Sequence, residues 1–435
     1  MEPIRVGLLG LGVVGGGTFN VLARNAEEIA RRAGRHIVVT KVSARDLVKA
    51  KSRVGDAAQV VADPFEIVRD PSIDIVVELI GGDGLARELV LEAIAHGKHV
   101  VTANKALLAK HGNEIFALAS EKGVMVMFEA AVAGGIPIIK AIREGLTANQ
   151  IEWVAGIING TTNFILSEMR ARGLPFADVL AEAQQLGYAE ADPTFDVEGV
   201  DAAHKLTLLS AIAFGVPVQF DKAYVEGISS LSQTDISYAE ELGYRIKLLG
   251  VTKARPDGIE LRVHPTLIPA KRLLANVEGA MNAVLVQGDA VGATLYYGKG
   301  AGEEPTASAV VADLVDVTRL HTADPEHRVP HLAFQPQSMS DKPILPIDAV
   351  TTSYYLRLTV NDVPGVLADI TRILADASIS IGSMIQKPRE GSTQADIIFL
   401  THEAIERNVN AAIARIEALT TVQSKVTRLR LENLA

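Results

Sequence analysis

Three groups of residues in this 435-residue chain have types and spacings that could do chemistry. The first is Gly10-Leu11-Gly12-Val13-Val14-Gly15, a G-x-G-x-x-G pattern. Between a strand and a helix, such glycines permit a tight turn, the approach of a pyrophosphate, and close helix–strand packing. The free N–H groups at the helix start then face the phosphates. The second is Thr102-Ala103-Asn104-Lys105-Ala106-Leu107-Leu108. Lys105 falls just past an apolar run, where open parallel sheets place their sites; a plain surface lysine is the alternative. The third is the stretch 187–205, with five carboxylates and a lysine. Asp201 and Lys205 lie four apart and share one helix face, which by itself describes an ordinary ion pair. The residues that follow, 206–214, are almost wholly apolar. A lysine leading into a buried helix can carry a shifted pKa and act as acid or base. His204 reads as structural rather than catalytic. A divalent-metal cluster of these carboxylates is a further option.

A dinucleotide fold with no cysteine narrows the reaction. Cys is 0, which excludes a thiohemiacetal route, thiolate-held zinc and disulfides. What remains is reversible carbonyl–alcohol chemistry with a nicotinamide cofactor, in which Lys, Asp, Glu, His or Tyr moves the proton. NAD-preferring folds end their second strand with an acidic residue on the ribose. Here Val42-Ser43-Ala44-Arg45 ends it with a base. Arg45 favours NADP; NAD stays open if Asp46 reads the ribose instead. A kinase reading fails, because Gly298-Lys299-Gly300 lacks the P-loop spacing.

The elements that must position these residues follow from periodicity. Short apolar runs at 4–9, 36–44, 74–80 and 99–102 alternate with helical stretches at 13–33 and 85–96. That predicts an α/β fold with a parallel sheet buried on both faces. Helices are expected at 163–172, 175–186, 200–214 and 306–320, and strands at 260–264, 283–288 and 290–297. The middle therefore reads as an α+β substrate domain. Residues 353–431 read as βαββαβ, a ferredoxin-like pattern. The expected division is a Rossmann-type domain at 1–135, completed by a helix at 305–320. A substrate domain follows at 136–304, then a Pro- and His-rich linker at 321–350 and the ferredoxin-like domain at 351–435.

Composition sets the partners. The net charge is -10, which argues against nucleic acid, since a binder needs a basic footprint. No stretch has the roughly 18 apolar residues that span a bilayer. The N-terminus starts as a strand, with no signal-peptide pattern. A soluble, cytoplasmic protein is expected.

Several segments together resemble homoserine dehydrogenase, in its monofunctional form. They are Asn104-Lys105-Ala106-Leu107, Glu129-Ala130-Ala131-Val132-Ala133-Gly134-Gly135-Ile136-Pro137-Ile138, Asn159-Gly160-Thr161-Thr162-Asn163, and the 187–205 stretch. Lys299-Gly300-Ala301-Gly302 with Pro305-Thr306 fits the same family, so the resemblance covers nearly the whole chain. It implies hydride transfer between NAD(P)H and L-aspartate 4-semialdehyde, giving L-homoserine. Lys205 matches the family's proton donor, and Lys105 a lysine near nicotinamide and substrate. Glu190, Asp196 and Asp201 match carboxylates at the substrate, with Glu190 suited to its ammonium. Gly187, Gly302 and Glu303 match positions near the cofactor. Glu129, Val132, Gly134 and Ile136 match a monovalent-cation site, usually sodium; carbonyls plus one carboxylate suit a hard ion.

Asn361-Asp362-Val363-Pro364-Gly365 resembles the ACT domain signature. ACT domains bind amino acids at such strand–helix junctions, which makes Asn361, Asp362 and Gly365 the expected regulatory residues and threonine the expected effector. They also pair edge to edge, which implies a homo-oligomer, a dimer or tetramer. Family resemblance thus implies that 136–304 is also the catalytic and dimerisation domain and 351–435 a regulatory one. Two other readings compete: another amino-acid-linked NAD(P) oxidoreductase, and a non-catalytic amino-acid sensor.

Overall fold

The computed structural model describes residues 2–389 and 391–434. Its first sheet contains β1 (Ile4–Leu9), β2 (Ile37–Ser43), β3 (Gln59–Val61), β4 (Ile75–Glu78), β5 (His99–Thr102) and β6 (Val126–Met127). The order is β3-β2-β1-β4-β5-β6, and every pair is parallel. β4 and β5 are buried at every residue, which is why their middles are apolar, and the polar Thr102 and Glu78 at their ends bond each other at 2.7 Å. The strand order reverses between β1 and β4, so a crevice opens there beyond the carboxyl ends. The predicted helix at 13–33 is two helices, Val13–Arg24 and Ala26–Ala33, broken at Asn25. The helix Glu303–Leu320 returns from far along the chain and packs on Val13–Arg24. Its Ala307, Val310 and Leu314 share a core with Val6, Leu8 and Val42.

The second sheet has β7 (Ile151–Ile157), β9 (Tyr244–Arg255), β10 (Gly258–Pro269), β11 (Met281–Gly288) and β12 (Gly292–Lys299), with the short β8 (Tyr224–Val225) beside β10. β7 and β9 have no counterpart in the sequence reading, and the strand expected at 260–264 runs far longer. β9 and β10 form one antiparallel hairpin, Tyr244 opposite Pro269 through Arg255 opposite Gly258. β10 carries charged residues on the inside of the fold. Glu260, Arg262 and His264 are buried. Arg262 bonds Glu260 at 2.8 Å and Glu432 at 2.5 Å, so the charges are mutually satisfied.

The C-terminal unit contains β13 (Thr351–Asn361), β14 (Ile381–Pro388), β15 (Gln394–Thr401), β16 (Ala404–Ile405) and β17 (Thr427–Leu431), with helices Val366–Asp376 and Glu406–Glu417 on one side. It is not a separate sheet. β17 pairs with β10 in parallel, Thr266 opposite Arg430 and Leu267 opposite Leu431. The continuous order is β12-β11-β7-β9-β10-β17-β13-β15-β14. Residues 321–350 hold three single turns and are packed down: Ile344 bridges Ile259, and the Phe334 ring lies against Gly215. No helix among the described residues is long and apolar enough to cross a membrane.

Candidate functional site

The glycine-rich turn closes the carboxyl end of β1 and starts the helix Val13–Arg24. Gly10 has φ 92, and a Cβ on it would lie 2.8 Å from the Leu79 carbonyl oxygen. A Cβ on Gly15 would lie 2.0 Å from the Gly10 carbonyl oxygen. Both positions therefore require glycine. Gly12, the N-cap residue, supplies no side-chain cap, which leaves the first helical N–H groups free for an anion. Gly10, Leu11, Gly12 and Arg45 line a cavity of about 550 Å³, with Ser43 and Lys49 among its other walls. Val13, Val14 and Gly15 form the first turn of the helix and are not among the cavity's walls.

Charge in this cavity is asymmetric. Asp46 accepts from Lys49 N–H at 2.9 Å and caps the helix Leu47–Val54. Arg45 and Lys49 are exposed, and among the described residues neither side-chain cation has an ion-pair partner. Arg53 instead pairs with Glu303 at 2.5 Å, and its guanidinium fills the space a Cβ on Gly16 would take. Gly302, at φ 127, precedes Glu303, so both sit where the helix Glu303–Leu320 starts against the dinucleotide helix.

A second cluster gathers around Asp201. The N-cap Asn104 starts the helix Lys105–Glu121 and sets Lys105 beyond β5. From the helix Val200–Phe214 come Asp201 and Lys205. Lys205 Nζ donates to Asp201 Oδ2 at 2.7 Å and to the Ile158 carbonyl at 2.8 Å. Lys105 Nζ lies 3.1 Å from Asp201 Oδ1. One carboxylate thus joins two ammonium groups. Asn159 Nδ2 donates to Asp201 Oδ2 at 2.8 Å and to Asp196 Oδ1 at 2.7 Å. Its own Oδ1 accepts from Thr162 N–H and caps the helix Gly160–Arg172. Asn159 had no role in the sequence reading. Its neighbours stand 37 and 42 residues away, so spacing gives no sign of them.

The electrostatics follow from this packing. Burial works against the Asp201 charge, but Lys205, Lys105 and the hydrogen bonds outweigh it and hold the carboxyl well below its usual range. Burial lowers the Lys205 pKa, with Asp201 opposing and Lys105 adding to the shift. Burial and the Asp201 charge raise Asp196. His204 packs edge-on between Phe195 and Phe220, with both ring nitrogens unpartnered. Burial and the Lys105 charge bring its pKa down to about 4, so it is neutral near pH 7.

Not every expected residue joins this cluster. Gly187 ends the helix Phe176–Gln185 at φ 77, in an exposed loop outside the dinucleotide cavity. Glu190 lies on the same loop, exposed, with no side-chain hydrogen bond among the described residues. Nor do the carboxylates of 187–205 converge: among the described residues, no group of three or more His, Cys, Asp or Glu is placed to hold a metal ion.

Glu129 is a different case. It is buried, and its oxygens accept from Ile139 N–H at 2.9 Å and Lys140 N–H at 2.8 Å. Burial pushes its carboxyl up to about 7. No side-chain cation pairs with it among the described residues. Val132, Gly134 and Ile136 follow on one tight turn in which Ala133 and Gly134 have positive φ. One desolvated carboxylate and the carbonyl oxygens of the turn that follows it in sequence are, by their chemistry, suited to a hard monovalent ion.

In the C-terminal unit, Asn361, Asp362 and Gly365 form the junction of β13 with the helix Val366–Asp376. Gly365 is the N-cap at φ 97, without a side-chain cap. Asp362 Oδ1 accepts from Gln386 at 3.2 Å.

Comparison with known proteins covers all these regions. Residues 10–129 match the family model "Homoserine dehydrogenase, NAD binding domain", and 137–315 match "Homoserine dehydrogenase". Residues 354–421 match the ACT domain. The homoserine dehydrogenase of Pseudomonas aeruginosa is 65% identical over 435 residues, 100% of each chain. A solved homoserine dehydrogenase from Thiobacillus denitrificans has 71% identity and a TM-score of 0.96, over 100% of this chain and 99% of that one. A hyperthermophilic archaeal homoserine dehydrogenase, solved in complex with NADPH, has 26% identity and a TM-score of 0.64 over 74% of this chain and 99% of its own.

Proposed function

Since the chain belongs to the homoserine dehydrogenase family, we propose how its own residues divide the work of that reaction. The enzyme is an oxidoreductase with a nicotinamide-binding domain that interconverts L-aspartate 4-semialdehyde and L-homoserine. When bound, the reduced cofactor supplies the hydride to the aldehyde carbon.

Lys205 donates the proton to the developing alkoxide. An ammonium has three N–H groups. Ile158 and Asp201 take two, which leaves one direction for the substrate oxygen. Asp201 holds both lysines in register, and Lys105 adds positive charge near that oxygen. Asp196, tied to Asp201 through Asn159, and the exposed Glu190 meet the substrate's ammonium. The carrying observation is the Lys205–Asp201–Lys105 bridge. Loss of NADPH absorbance on adding aspartate semialdehyde tests it. Lys205→Met should cut the rate by about 10²- to 10⁴-fold and leave NADPH binding intact. Turnover at the wild-type rate would refute the assignment.

The preferred cofactor in this reading is NADP. Asp46 is committed as a cap, while Arg45 and Lys49 face the cavity free to meet a 2′-phosphate. The related archaeal enzyme solved with NADPH supports this. Glu129 with the carbonyls of Val132, Gly134 and Ile136 would hold sodium and brace the turn between the two large domains. Asn361, Asp362 and Gly365 would bind threonine as effector, its carboxylate on the uncapped N–H groups of the helix Val366–Asp376. The edge strands β12 and β14 offer their open sides to a second copy, which supports a homo-oligomer. The absence of cysteine suits the reducing cytoplasm.

A further inference from the structure

The helix that carries Asp201 and Lys205 has no side-chain cap of its own. Its N-cap is Gly199, at φ 83. A Cβ there would lie 3.2 Å from Val225, 3.3 Å from Val263 and 3.5 Å from the Glu226 carbonyl oxygen. The segment after β8 also grips the preceding turn. Ile228 N–H donates to the Val197 carbonyl at 2.8 Å, and Ser229 to the Glu198 carboxylate at 2.6 Å. A Cβ on Gly227 would meet Glu198 Cα at 2.6 Å. Residues 224–229 are therefore the seat on which the first turn of the catalytic helix rests.

The seat is weakly held by its own backbone. β8 contributes two residue pairs to β10, and Glu226 N–H adds one bond to the Val263 carbonyl at 2.8 Å. Side chains supply the rest: Arg430 Nη2 donates to Tyr224 Oη at 3.2 Å, and Arg428 Nη2 lies 3.6 Å from Glu226. Glu226 Oε2 accepts from Tyr224 Oη at 2.8 Å and from Arg430 Nη1 at 3.0 Å. Arg430 belongs to β17 of the C-terminal unit. β8 pairs at Arg262 and Val263 of β10, and β17 at Thr266 and Leu267, so the two strands lie end to end along one side of β10. Arg430 is buried and aimed. Its Nε and Nη2 donate to the Glu406 carboxylate at 2.9 and 2.5 Å. Tyr354 Oη donates to Glu406 at 2.7 Å, and the Arg430 guanidinium lies over the Tyr224 ring at 4.8 Å.

We propose that Glu226 and Arg430 are positioning residues for the reaction: through them the C-terminal unit holds the seat that aligns Asp201 and Lys205. The proposal rests on the reading that those two residues are catalytic. Neither Glu226 nor Arg430 lines the dinucleotide cavity. A shift of β17 would reach the catalytic helix through this carboxylate–guanidinium contact.

The test uses the full-length enzyme. Glu226→Gln keeps the shape of the side chain and removes its charge. The expected result is a kcat lower by about tenfold or more, because small misplacements of reacting groups are costly. The NADPH dissociation constant should stay unchanged, and Glu226→Asp should recover part of the loss. A Glu226→Gln enzyme with wild-type kcat and only a lower Tm overturns the proposal. Should that variant fail to fold, Tyr224→Phe, which removes one hydroxyl from the same contact, is expected to lower kcat less but in the same way; wild-type kcat there overturns it equally. Lys205→Met is run in parallel. If it retains turnover, the catalytic reading fails and takes the proposal with it. If it is inactive while Glu226→Gln matches wild type, the positioning role alone fails.

Discussion

In the proposed reaction Lys205 gives its proton in one direction and accepts one in the other. Burial lowers its pKa, which brings the exchange nearer to working pH. The sign follows directly. Reduction of the aldehyde needs the ammonium, so its kcat should fall as pH rises through the lowered lysine pKa. Oxidation of homoserine needs the neutral amine, so its kcat should rise over the same interval. Rates in both directions between about pH 6 and 10 check this. Lys205→Arg sharpens the test, because a guanidinium keeps its proton. That variant should lose oxidation by about 10²-fold or more. Equal limbs in both directions would show that another group carries the proton. At this scale the sequence was informative where the partners are close. Asp201 and Lys205 are one helical turn apart, and a helix makes them neighbours whatever else folds. Asn159 lies in a segment that carries the family resemblance, but its role was not legible, because its two carboxylates reach it only through the tertiary fold.

The helix Leu47–Val54 shows what one element contributes. Asp46 starts it, and from it Lys49 and Arg53 reach one wall of the dinucleotide cavity that also holds Arg45. Arg53 is paired to Glu303, whereas Arg45 and Lys49 face the cavity. A hydrogen bond to a charged group contributes about 1.5–3 kcal/mol. Arg45→Ala and Lys49→Ala should therefore each raise the KM for NADPH by about tenfold or more and leave that for NADH nearly unchanged. Equal effects on both cofactors would mean that these residues meet the shared pyrophosphate. Elements differ in how plainly the sequence announces them. The valine runs of β4 and β5 announce them, because strands covered by helices on both faces bury every residue. β10 was read at 260–264, the part that holds Arg262, but its continuation carries Pro265 and Pro269, residues that argue against a central strand.

On the scale of the whole molecule, the matter is how far the C-terminal unit is separate. The sequence pattern shows a self-contained βαββαβ module, which suggests cutting it away and asking whether threonine still acts. The fold argues against that experiment. β17 occupies the side of β10, and ion pairs cross with the unit: Arg430 and Arg428 to Glu226, Glu432 to Arg262 and Lys253, Arg357 to Asp235, and Lys387 to Glu241. Arg262, Asp235 and Glu432 are almost fully buried. Removing one partner of a buried pair costs about 3–5 kcal/mol, because the other charge stays desolvated. Ending the chain at residue 350 strips several partners at once and bares an edge of β10. The truncated enzyme should aggregate, or melt at least about 10 °C below the full chain, as scanning calorimetry would read. A truncated chain with an unchanged Tm would show that the junction adds little. Regulation is better examined in place. Asp362→Ala leaves these contacts intact, so any lost response to threonine would report on the β13 junction rather than on a damaged sheet.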